Sequence, residues 1–248
     1  MRKNILITGA SSGLGRGMAQ EFAKLDRNLA LCARRTDRLE ELRDELLQSN
    51  PDINVSIRAL DVNDHDQIFE VFNAFADDLG SLDRVIVNAG IGKGQPIGTD
   101  HFYANRQTAE TNFVAALAQC EAAVGILRQQ NKGHLVTISS MSAIRGFGRN
   151  LTTYAATKAG LAALTEGIRV DLLRTPIKVS TIYPGYIRSE INEKVKNTPF
   201  MVDTETGSRA LVKAIEKEPK TAYVPAWPWW AIGTLMKWMP LSWIARMS

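Results

Sequence analysis

Tyr154-Ala155-Ala156-Thr157-Lys158 sets a phenol and an ammonium four residues apart. On a helix the two share one face. A free phenol titrates near pH ~10, too high for efficient acid–base work at neutral pH. A neighbouring ammonium favours the phenolate and draws that value down. Ser139, Ser140 and Ser142 precede the pair, and a hydroxyl there can hold a substrate oxygen. Together these groups could exchange a proton with a carbonyl or alcohol oxygen. Tyrosine and lysine are abundant, and a solvated surface pair has the same spacing. The chemistry therefore needs a second site beside it.

That second site stands at the start of the chain. Thr8-Gly9-Ala10-Ser11-Ser12-Gly13-Leu14-Gly15 follows a short apolar run and precedes a helical pattern. Glycines at 9, 13 and 15 let the backbone turn tightly and approach a pyrophosphate, which a helix N-terminus then attracts. The acid that grips a ribose 2′-hydroxyl is expected about 20 residues on, at the end of the second strand. The sequence there reads Leu31-Cys32-Ala33-Arg34-Arg35, with two guanidiniums and no acid. Guanidinium geometry matches a 2′-phosphate, so NADP is favoured over NAD. The alternative is that Arg34 and Arg35 form a solvated turn. Asp61, followed by Val62, could accept from an adenine amino group or cap the helix that begins near Asp64. Asn88-Ala89-Gly90 offers small residues where a cofactor must come close.

The elements that must position these groups alternate. Strands are predicted at 4–8, 29–33, 55–60, 84–88, 134–139 and 178–183. Helices are predicted at 16–25, 37–48, 64–79, 108–128, 154–174 and 203–217. Short apolar strands alternating with helices predict an α/β fold: a single Rossmann-type, doubly wound parallel sheet with helices on both faces. Ligands of such sheets bind beyond the carboxyl ends of the strands, where the motifs fall.

Read together, the motifs resemble those of the classical short-chain dehydrogenases/reductases. The matching residues are Thr8-Gly9-x-x-x-Gly13-x-Gly15, Asn88-Ala89-Gly90, Asn112, Ile138-Ser139-Ser140, Tyr154-x-x-x-Lys158 and Pro184-Gly185, in that order. The resemblance covers roughly residues 4 to 190 and implies a seven-stranded parallel sheet. It implies Tyr154 as acid–base, Lys158 lowering its pKa and holding the nicotinamide ribose, Ser140 orienting the substrate oxygen, and Asn112 holding a water in a proton relay. It also implies Arg34 as the NADP selector, the Ile187 backbone against the carboxamide, and Ser189 where the family often has threonine. The family usually places its serine thirteen residues before the tyrosine, which is Met141 here. Ser140 is preferred because the strand end matches and a one-residue loop insertion is cheap, with Ser142 as the alternative. A homodimer or homotetramer acting on a small carbonyl or alcohol follows from the resemblance. A non-catalytic NADP sensor or a membrane-surface scaffold on the same fold is the competing reading.

Bulk properties agree with a soluble domain. The 248 residues carry 30 basic and 26 acidic side chains, a balance too mild to argue for nucleic acid. Cys32 and Cys120 form no metal or disulfide pattern, and His65, His101 and His134 are isolated, so no metal site is expected. No secretory signal is read at the N-terminus, and a cytoplasmic protein is expected. Ile91, Met141, Ile144, Phe147 and Tyr186 are expected near a lipophilic substrate, with residues 191–201 as a lid. The catalytic domain is drawn at 1–225, followed by a tail at 226–248. That tail holds all five tryptophans with Lys237 and Arg246 and no acid. It suits a peripheral membrane contact, or packing on its own domain, the pocket or a sister subunit.

Overall fold

The computed structural model describes residues 1–190 and 199–246. Seven parallel strands form one sheet in the order β3-β2-β1-β4-β5-β6-β7. They are β1 (Asn4–Thr8), β2 (Asn28–Ala33), β3 (Val55–Ala59), β4 (Arg84–Val87), β5 (His134–Ile138), β6 (Lys178–Pro184) and β7 (Thr221–Val224). The order reverses between β1 and β4, which opens a crevice at their carboxyl ends.

Successive strand residues face opposite sides. Ile5 and Ile7 join one core with Leu31, Ile86, Val136 and Ile182. Helices α1 (Gly13–Ala23), α2 (Thr36–Ser49) and α7 (Thr204–Ile215) cover that face, contributing Phe22, Leu42 and Leu211. Leu6 joins the opposite core with Val85, Val87 and Leu135. Helices α3 (His65–Leu79), α5 (Ala115–Gln129) and α6 (Thr152–Asp171) cover it with Phe72, Phe75, Ile126 and Leu161. Asp64 caps α3 by accepting from the Gln67 N–H, and Gly80 ends it at φ +76°. The cap predicted as an alternative for Asp61 is thus supplied by Asp64.

Three segments depart from the sequence reading. The helix predicted over 108–128 begins earlier, with α4 (Phe102–Ala109), and passes through a π-helical turn at Glu110–Val114 before α5. Strand β7 escaped prediction because it is four residues long and runs straight into Pro225. The tail is structured as well, with α8 (Ala226–Met236) and α9 (Leu241–Ile244). One face of α8 packs inward through Trp229, Gly233 and Met236. The Arg145 guanidinium donates to the carbonyls of Met236, Lys237 and Met239 at 2.8, 2.9 and 3.1 Å, satisfying that helix end. No helix among the described residues is long and apolar enough to cross a membrane.

Candidate active site

The glycine turn joins β1 to α1. Gly9 and Gly13 lie at φ +66° and +53°, in the left-handed region that side chains avoid. A Cβ at Gly15 would collide with the Gly9 carbonyl and the Asn88 amide. Asn88 donates to the Thr8 carbonyl at 2.8 Å, while the Thr8 hydroxyl accepts from Asn88 N and Ala89 N at 3.0 and 3.1 Å. The ends of β1 and β4 are thereby locked together. Ser12 sits at the N-cap of α1 but its side chain does not cap the helix. The helix start is thus left without a side-chain cap, the arrangement that suits a pyrophosphate. Asp61 accepts from Asn63 N at 3.1 Å, and Val62 is buried beside it.

At the end of β2 the structure adds residues that the sequence reading missed. Arg35 donates to Ser11 Oγ at 3.3 Å and to Ser12 Oγ at 2.7 Å. Arg35 and Arg38 then meet the Glu190 carboxylate at 3.0 and 2.6 Å, and the Ser12 hydroxyl donates to it at 3.0 Å. Arg35, then Arg38 and Ser12, hold Glu190 down to a pKa of about 2. The chain's own anion thus occupies a cluster built from the basic segment at the end of β2. Arg38 follows Arg35 at i, i+3 across the start of α2, a spacing that could have marked it. Arg34, the expected selector, is exposed. Glu190 comes from a distant loop, and no local signal points to it.

At the chemical end, Tyr154 and Lys158 stand on α6, and Ser140 follows β5. The Lys158 ammonium is 5% exposed and donates to the Ile138 carbonyl at 2.9 Å. Ser139 donates to the Lys158 carbonyl at 2.8 Å, so strand end and helix are fastened in both directions. Lys158 Nζ lies 5.9 Å from the centre of the Tyr154 ring. Ser140 stands near enough to Tyr154 to favour its phenolate. Ser142 donates to Ser140 Oγ from its N–H at 3.2 Å and its hydroxyl at 2.9 Å. Ser140 Oγ thus accepts twice from Ser142, and the two serines form one pair at the end of β5.

The electrostatics differ from the sequence expectation. Burial raises the Tyr154 pKa; Ser140 opposes this, and Tyr186 adds to the rise. The Lys158 ammonium is itself drawn down to about 8 by burial. The downward shift expected of the phenol falls on the amine, which loses more hydration than its carbonyl partner returns.

Asn112 lies in the π-helical turn and is fully buried. Its Oδ1 accepts from Ile91 N and its Nδ2 donates to Ile91 O, both at 2.8 Å. A Cβ on Gly90 would stand 3.1 Å from Asn112 Oδ1 and 3.5 Å from Lys158 Nζ, so the three converge. Beyond β6, Pro184 is buried and Gly185 lies against the Trp229 indole, which leaves no room for a side chain. Ile187 is paired with Val202, and Ser189 lies against Gly13. Tyr186 and Phe200 meet Trp229 edge-on. Met141 lies against Gly233 of α8. Of the expected lid, residues 191–198 lie outside the described residues, and 199–201 form a turn leading to Val202, which pairs with Ile187 and Arg188. Among the described residues no cluster of metal-binding side chains occurs.

Known proteins agree with this geometry. The pattern of the short chain dehydrogenase family matches residues 3–199. An uncharacterized oxidoreductase of Mycobacterium tuberculosis is 52% identical over 239 residues, covering 96% of this chain and 94% of that protein. Levodione reductase of Leifsonia aquatica is 32% identical over 222 residues, covering 88% and 81%. The crystal structure of a levodione reductase superposes with a TM-score of 0.79 at 25% identity, covering 87% of this chain and 90% of that one. A 3-hydroxy acid dehydrogenase of Schizosaccharomyces pombe, described as NADP-dependent, is 32% identical over 192 residues, covering 77% and 73%. Pattern, relatives and sheet order lead to one conclusion: the protein is a member of the short-chain dehydrogenase family of oxidoreductases.

Proposed function

We propose that the protein is an NADP(H)-dependent oxidoreductase that interconverts a carbonyl and an alcohol on a lipophilic small molecule. The observation that carries this reading is a buried Lys158 whose ammonium lies 5.9 Å from the Tyr154 ring and close to Gly90 at the end of β4. The residues fit a dinucleotide. The uncapped N-terminus of α1 and the tight turn through Gly9, Gly13 and Gly15 would receive the pyrophosphate. Arg34, Arg35 and Arg38, with Ser11 and Ser12, would hold the 2′-phosphate. Asp61 and Val62 would meet the adenine, and Asn88, Ala89 and Gly90 would pass beneath the sugar. Pro184, Gly185, Ile187 and Ser189 would line the nicotinamide end. The relative described as NADP-dependent supports the cofactor assignment.

When bound, the dinucleotide supplies or accepts a hydride at the substrate carbon. Tyr154 gives the proton to the carbonyl oxygen in reduction and takes it back in oxidation. Ser140 orients that oxygen. Lys158 holds the ribose and brings positive charge to the phenol, offsetting the burial that raises it. Asn112 fixes Ile91 and holds a water in the relay. Met141, Tyr186 and Trp229 form an apolar wall, which favours a lipophilic substrate. Exposed Leu117, Val170 and Leu173 on α5 and near α6 support assembly into a homodimer or homotetramer. The two unpaired thiols suit a reducing cytoplasm; burial pushes Cys120 up to about 12, which keeps it protonated and inert.

NADPH oxidation over a carbonyl panel, including steroid, fatty-acyl and sugar carbonyls, tests the reading. Tyr154→Phe should lower kcat by about 10²–10⁴-fold while NADPH still binds. A non-catalytic nucleotide sensor would give the same traces for wild type and variant.

A further inference from the structure

The C-terminal helix α8 is apolar on both sides. Its inner face is committed: Trp229 is 4% exposed against Gly185 and Tyr186, and Gly233 and Met236 are buried with it. Trp230 and Thr234 are one turn apart on the other side of the helix, and Trp238 follows in the turn just past its end. Trp230 and Trp238 are 61% and 85% exposed there. Trp227 before them, Leu235 beside them, and Leu241 and Trp243 of α9 are exposed as well. A surface helix ordinarily turns charged residues outward, and one that is apolar all round is covered on both sides. An exposed group of this size and composition marks a contact surface.

Charge and residue type say what covers it. The segment from Pro219 to Arg246 contains no aspartate or glutamate, while Lys237 and Arg246 lie within the exposed group and are themselves exposed. Tryptophan prefers the boundary between hydrocarbon and water, and basic side chains beside it meet lipid phosphates. Protein–protein surfaces also take tryptophan, but they are depleted in lysine, which stands here beside Trp238. No helix among the described residues is long and apolar enough to span a bilayer, so contact would be from one side. We propose that the outer face of α8 and α9 docks the protein on an anionic lipid surface, with Trp227, Trp230, Trp238 and Trp243 at the headgroup level and Lys237 and Arg246 against phosphates. This goes beyond the catalytic reading and stands or falls independently of it.

Flotation of the full chain with vesicles provides the test. One set is phosphatidylcholine alone; the other is equal parts phosphatidylcholine and phosphatidylglycerol. The protein should float with the anionic vesicles about tenfold more strongly than with the neutral ones, and added salt should weaken the difference. Trp230→Ala combined with Trp238→Ala should cut partitioning about tenfold or more, with NADPH binding unchanged. Lys237→Glu with Arg246→Glu removes the preference for anionic lipid without touching the apolar anchor, and serves if the tryptophan variant misfolds. Equal partitioning of wild type and both variants overturns the proposal. So does absence of flotation together with a change of oligomeric state in the tryptophan variant, which would make this face an interface between copies.

Discussion

Arg38 and Glu190 show how much a site depends on single charges. Glu190 holds the same donors that a 2′-phosphate would need. Arg38→Ala should raise the Kd for NADPH about tenfold, since charge-assisted hydrogen bonds contribute about 1.5–3 kcal/mol and these are partly solvated. NADH, which lacks the phosphate, should bind nearly as before; an unchanged NADPH-to-NADH ratio by fluorescence titration would sink the assignment. Glu190→Gln should move NADPH the other way, to tighter binding, because a competing carboxylate is gone. Lys158 poses a different balance. Its folded pKa of about 8 lies below the unfolded value near 10.5, so the unfolded state holds more protons between those limits. Its burial therefore costs stability at neutral pH, and that cost is relieved as pH rises from about 8 to 10.5. Lys158→Met should melt at a higher temperature than wild type at pH ~7, converge with it above pH ~10, and lose turnover.

At the scale of elements, the π-helical turn at Glu110–Val114 is what aims Asn112 at Ile91. Single wide turns of this kind are common where a helix serves a site. Asn112→Ala would leave the Ile91 N–H and carbonyl without their partner, at a cost of about 1–3 kcal/mol for each buried group. Melting temperature should fall, and hydrogen exchange at the Ile91 amide should speed up, before any effect on the glycine turn. Neither would change if Asn112 served only a water. The turn could not be read from the sequence, because Glu110-Thr111-Asn112-Phe113-Val114 carries an ordinary helical pattern. Where the signal was local, the reading was good. The strand–glycine–helix passage and Tyr154–Lys158 announce themselves within one turn, and the alternation of Ile5, Leu6 and Ile7 sorts itself onto two cores. Where partners are distant, composition says nothing: Glu190 meets Arg35 and Arg38 across 155 and 152 residues. No helix was predicted in the tail; Pro225 is the N-cap of α8, and Pro228 follows the non-helical Trp227 that kinks its start.

For the molecule as a whole, the two ends of the sheet have different work. The carboxyl ends carry the site; the amino ends carry a buried ionic network. Arg84, 1% exposed, bonds to Glu216 and donates to His134 Nδ1 at 2.9 Å. His134 Nε2 then faces Ser180 Oγ at 2.8 Å, which fits a neutral imidazole. Burial, then Arg84 and Arg2, hold the His134 pKa well below 6.5, while Arg84 and Arg27 hold the Glu216 carboxyl low against its burial. Both groups are depressed, so their stability is intact at neutral pH and is lost on acidification. Loss should begin below pH 6.5, where unfolded histidine takes a proton, and steepen below 4.5, where unfolded glutamate does. Thermal melts should show the first phase in wild type and lose it in His134→Gln. A flat melting temperature from neutrality to pH ~5 would contradict this.

Arg145 gives the opposite end a mechanical consequence. It belongs to the loop that begins at Ser140, and its guanidinium grips the end of α8. One cation thus joins the serine loop to the helix whose outer tryptophans face away from the fold. Thermodynamic linkage runs equally in both directions. If docking on a surface shifts α8, it changes the affinity for whatever touches Ser140, and filling that pocket changes the hold on the surface by the same factor.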